Sequence, residues 1–166
     1  MPAASERPAG ASGGPAAPAL PHTWRPMGVR FAVVGFGLML LVVCAAAWFG
    51  FDDETRAKFN ILQRLTLLVM GAGFAVIGWA LGRARVTAEQ AALVVVNGFR
   101  TRRLEWEQVL AVHLPAGAPW ATLDLADGTT ISAMAFQGSD GRMARDGVRQ
   151  LRALIDRPGS VGPDRP

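Results

Sequence analysis

The side chains best placed to do chemistry are three arginines in one short run, Arg100, Arg102 and Arg103. If that run is a strand, Arg100 and Arg102 share a face and Arg103 points the other way. Such a group attracts anionic headgroups at a cytoplasmic leaflet, by about 1 kcal/mol per arginine near the surface. It also suits an edge strand, where charge prevents one sheet from pairing with another. Glu105 and Glu107 follow closely, so the surface is not purely basic. Trp106 and Trp120 complete the candidate membrane or partner surface, because large aromatics anchor interfaces. Their apolar area suits core packing equally well.

Catalytic alternatives are thin. His113 has neither a cysteine nor a second histidine near it in sequence with which to hold zinc. Asp124 and Asp127 flank a turn, where aspartate is expected for turn reasons. Gly138-Ser139-Asp140-Gly141 lacks the lysine of a phosphate-binding loop. No enzyme, catalytic residue, metal site or cofactor is expected. Arginine and lysine number 17 against 13 acids, and 16 of those 17 are arginine. With abundant alanine and glycine, that bias fits a GC-rich bacterial genome, so charge alone argues little for nucleic acid and no such partner is expected.

What must position these residues is set by two charge-free runs, 31–51 and 65–82. A helix needs about 20 residues to cross a bilayer core. At ~1.5 Å rise per residue, these runs reach roughly 32 and 27 Å. A helical hairpin in a cell membrane is the expectation over residues 23–85. Cleavage of the first run as a signal is disfavoured by its length and by the long leader before it. Cys44 lies inside that run, where a thiol behaves as a small hydrophobe. Trp48 and Trp79 sit near run ends, as interfacial anchors do. Gly71, Ala75, Gly78 and Gly82 form a small-residue stripe that permits close helix approach. It suits packing within the hairpin, with pairing of two copies as the sharper alternative. Arg25 and Arg30 precede the first run, Arg83 and Arg85 follow the second, and Asp52-Asp53-Glu54 opens the loop. Both termini are therefore expected in the cytoplasm. Neither run carries a charge to form an ion or proton path.

Residues 1–22 are Pro, Ala, Gly and Ser with almost no large apolar side chain, which predicts a disordered tail. Residues 157–166 predict another. Trp24 breaks the pattern, either as an interfacial aromatic or as a side chain docked on the soluble part. From residue 86 to 156 the period changes to two. Asn97-Gly98 and Asp127-Gly128 are strong hairpin signals, and five strands are legible. Asp140 is placed to cap a final helix. Ala144, Val148, Leu151 and Ile155 share one face of that helix.

Antiparallel hairpins closed by one amphipathic helix suggest a half-open barrel of the pleckstrin-homology (PH) type. The chain resembles small actinobacterial membrane proteins with a bacterial PH-like domain, the low-molecular-weight protein antigen family. The matching residues are Arg85-Val86-Thr87, the segment from Leu93 through Asn97-Gly98, Arg102-Arg103-Leu104-Glu105-Trp106, Val109, Trp120-Ala121-Thr122-Leu123 and Asp127-Gly128. The resemblance implies a seven-stranded fold, so short strands at 85–88 or in the 115–120 loop should supply the remainder. It also implies a binding module rather than an enzyme. Eukaryotic PH domains hold phosphoinositides with basic residues near the first hairpin. The Asn97-Gly98 turn is too tight to cradle a headgroup, so that role is not carried to Arg100. The leading expectation is a membrane-anchored module for a protein partner, and direct recognition of anionic lipid headgroups is the alternative.

Overall fold

The structure, a computed structural model, describes residues 17–157. The expected tails lie largely outside these residues. A three-residue strand, β1 (His22–Trp24), comes first. Two long helices follow, α1 (Met27–Gly50) and α3 (Ile61–Gly82), joined by the short α2 (Asp53–Lys58). Then come β2 (Arg85–Ala88), β3 (Ala92–Asn97), β4 (Arg100–Glu105), β5 (Val109–His113), β6 (Trp120–Leu125) and β7 (Thr130–Gln137). Helix α4 (Arg142–Ile155) closes the chain.

Both long helices are apolar enough to cross a membrane, and their large side chains face outward. In α1 no residue is buried, which a core helix of a soluble protein would not tolerate. The stripe on α3 splits. A Cβ at Gly78 would come 2.9 Å from Val33 Cγ1, so this glycine permits the α1–α3 contact. Gly71 and Gly82 meet nothing within 4 Å, and Ala75 is exposed. The connection is built locally. Asp52 caps α2 by accepting from the Thr55 N–H, and Asn60 and Gln63 form a reciprocal capping box on α3. The Thr55 N–H holds the exposed Asp52 carboxyl below its ordinary range.

The strands form two antiparallel sheets, β1-β2-β3-β4 and β5-β6-β7. They pack as an open sandwich rather than a closed barrel, with α4 against β5 and β7. All seven strands are present, one of the two additional ones at an expected place and one not. β2 supplies one missing strand at 85–88. The other is β1, upstream of the helices, and the 115–120 loop forms none before Trp120. Register pairs Trp24 with Val86 and His22 with Ala88. The two long helices are thus an insertion in the first hairpin of the domain, entered through Arg25-Pro26 and left through Arg83-Ala84.

Trp24 docks on the domain rather than standing alone at an interface. It is 9% exposed, stacks tilted on Phe136 at 5.5 Å, and donates its indole N–H to Gln150 Oε1 at 2.9 Å. Asp140 also departs from expectation. Helix α4 begins after Gly141 with no side-chain cap. The Asp140 carboxylate instead accepts the Gly28 N–H, 3.1 Å away, in the first turn of α1. That turn has no cap of its own, since Pro26 precedes it. The domain therefore satisfies an otherwise open donor of the apolar helix.

Candidate binding surface

The β3–β4 turn has Gly98 at φ +57°, a conformation in which glycine carries no steric cost. Its neighbour Asn97 turns inward. The Asn97 amide donates to the Ser132 carbonyl and accepts the Met134 N–H at 3.1 Å, joining the two sheets. A Cβ on Gly98 would lie 4.0 Å from Ala80, so the turn abuts the last turn of α3. Phe99 projects outward, 67% exposed, with its ring 5.9 Å from that of Trp79. The Arg83 guanidinium covers the same Trp79 ring at 4.4 Å, a cation–π contact.

The five candidate residues do not form one patch. Arg100 and Arg102 share the face of Leu104, the side on which the core lies, yet both are exposed because β4 is the edge strand of its sheet. Arg102 lies close enough to Asp127 to help lower its pKa, though the hydroxyl and N–H of Thr129 do most of that. Arg103 points the other way and pairs with Glu89 at 2.7 Å. Trp106 belongs to the structure of the same corner. It is half-buried against the core and donates its indole N–H to the Glu89 carbonyl at 3.1 Å. Trp120 starts β6 in the other sheet, paired with Gln137, and is 38% exposed. Arg100, Arg102 and Trp120 thus remain accessible, while Arg103 and Trp106 are engaged with Glu89.

Two further features escaped the sequence reading. A cavity of about 300 Å³ lies between β1, the start of α1, β7 and the start of α4. Trp24, Met27, Phe136 and Met143 line it, with Arg25 and Asp140 as polar members. No local signal marks it, because its walls come from both sides of the helical insertion. The second is a solvent-accessible contact of His113 Nε2 with Asp124 Oδ2 at 2.8 Å, across neighbouring strands. Among the described residues, no group of three His, Cys, Asp or Glu could hold a metal ion.

A profile described as bacterial PH domain matches residues 83–154. It begins after α3 and so omits β1. Uncharacterised proteins of Mycobacterium tuberculosis and Mycobacterium bovis are each 34% identical over 140 residues, covering 82% of this chain and 86% of the relative. No solved structure matches the chain. Strands β2–β7 and nearly all of the closing helix fall within the matched residues, and the relatives carry the similarity over most of the chain. On these grounds, the chain belongs to the bacterial PH domain family.

Proposed function

We propose that this protein is a membrane-anchored PH-like platform that docks a protein partner at the cytoplasmic leaflet. The observation that carries this reading is the placement of the two apolar helices inside the β1–β2 connection. Each junction is two residues long. A domain held at two such points cannot swing on a tether, so it presents a fixed face to whatever lies in or beside the membrane. The β1–β2 pairing supports this reading, because with both helices spanning it keeps residues 22–24 and 85–88 on the same side of the bilayer. Arg25, Arg30, Arg83 and Arg85 at the junctions favour the cytoplasm for that side.

The accessible residues Arg102 and Trp120 are the proposed protein-contact surface, with Arg100 at its edge nearest the α3 junction. Arg100 and Arg102 also support the second reading, recognition of anionic headgroups, because Arg100 adjoins the turn that abuts α3. Pairing of two copies through Gly71, Ala75 and Gly82, which α1 leaves uncovered, is a further proposal about the assembly. Site-specific photocrosslinking from positions 102 and 120 in the native membrane tests the leading reading. A discrete protein adduct supports it. Adducts to anionic phospholipid alone would replace it with the second reading.

A further inference from the structure

We infer that the domain is seated on the bilayer by two apolar contacts, Phe99 at the exit of α3 and Met143 at the entrance of α1, within a ring of arginines. The inference rests on the reading that α1 and α3 span the membrane. Outside those two helices, the large apolar side chains exposed among the described residues are Phe99, Leu110, Trp120 and Met143. Two of the four sit at the junctions. Phe99 meets Trp79, and its turn is level with Ala80 in the last turn of α3. Met143, 58% exposed, shares a cavity wall with Met27, the first residue of α1.

A spanning helix reaches the headgroup layer at its ends, where Trp and Arg side chains concentrate. An exposed Phe beside one end and an exposed Met beside the other therefore lie at headgroup depth. Solvent exposure of such side chains is unfavourable, and the apolar edge of the leaflet removes them from water. The surrounding charge fits the same occupant. Arg25, Arg83, Arg100 and Arg142 are next to or within a residue or so of these contacts in sequence or space. Anionic headgroups attract basic side chains held at that depth. The partner of this face is thus a lipid surface containing anionic phospholipid, and not a second protein. The opposite end of the first sheet, with the Glu89-Gln90 turn, faces away because β2 runs from the α3 junction to it and β3 returns from it.

The test uses the full chain in nanodiscs of mixed neutral and anionic phospholipid, with Cys44→Ser as background. Single cysteines enter by Phe99→Cys, Met143→Cys, Gln90→Cys and, within α1, Val42→Cys, all at exposed positions. Each carries an environment-sensitive fluorophore, and quenching is read with lipids bearing a nitroxide at the headgroup or deep in the acyl chain. The expected result is strong headgroup-level quenching at 99 and 143, deep quenching at 42, and little of either at 90. Quenching at 99 and 143 no greater than at 90, with 42 still quenched deeply, would overturn this inference while leaving the spans standing. Loss of deep quenching at 42 would remove the spanning reading and this inference with it.

Discussion

Asn97 ties the two sheets together with one side-chain amide, donating to Ser132 and accepting from Met134. Asn97→Ala leaves both backbone groups without that partner. The expected cost is about 1–3 kcal/mol, the usual range for a part-buried polar group left unsatisfied. It should appear as a lowered midpoint in thermal unfolding of the full chain in nanodiscs. The Arg103–Glu89 pair is the contrasting case. Both side chains are well exposed, so Arg103→Gln should cost less than about 1 kcal/mol. Asp127 adds a pH dependence. Thr129 holds its carboxyl below the ordinary range. Its contribution is therefore present above the unfolded-state pKa and is lost as pH falls through the lower folded-state value. The stability difference between wild type and Asp127→Ala should shrink to nothing on acidification. A constant difference down to strong acid would show that the Thr129 contacts do not depend on the ionised carboxylate.

The closing helix α4 is pinned where Gly147 lies under two aromatic rings. A Cβ there would come 2.7 Å from Phe136 Cε1 and 3.1 Å from Trp24 Cδ1. Both rings are buried, so neither yields easily. Gly147→Ala should therefore destabilise the domain by about 1–3 kcal/mol through overpacking, despite the better helix propensity of alanine. A raised melting temperature would show that the rings are free to move. Leu151, fully buried on the same helix, should cost about 2–5 kcal/mol on truncation to Ala. The helix face bearing Ala144, Val148 and Leu151 was legible because period and packing coincide there, as were the Asn97-Gly98 and Asp127-Gly128 hairpins, whose turn chemistry is local. Strand β1 was not legible. It has three residues, and its partner lies beyond two helices, so no neighbouring residue signals the pairing. Asp140 misled for a related reason. An aspartate just before a helix reads as that helix's cap, yet its carboxylate serves a donor far upstream. Of the candidate surface, the exposure of Arg100 and Arg102 fits the charged edge strand that their run suggests, whereas the engagement of Arg103 and Trp106 by Glu89 depends on tertiary placement.

The domain as folded is discontinuous in the chain, which sets how it can be dissected. A fragment of residues 86–157 lacks β1 and leaves Val86, Phe136 and Gly147 without Trp24. Such a fragment should be unfolded or markedly less stable than one in which residues 17–26 are joined to 83–157 by a short flexible link. Circular dichroism melts of the two fragments check this, and equal melting temperatures would make β1 dispensable. The same pairing constrains the order of events during synthesis. β1 leaves the ribosome first but has nothing to pair with until both helices have been made and β2 has followed. On the spanning reading, β1 finds β2 only if the second helix has returned the chain to the side where β1 waits. On that reading the sheet also registers the count of crossings: a chain that crossed once instead of twice would strand its own first β-strand across the bilayer and leave the sheet unfinished.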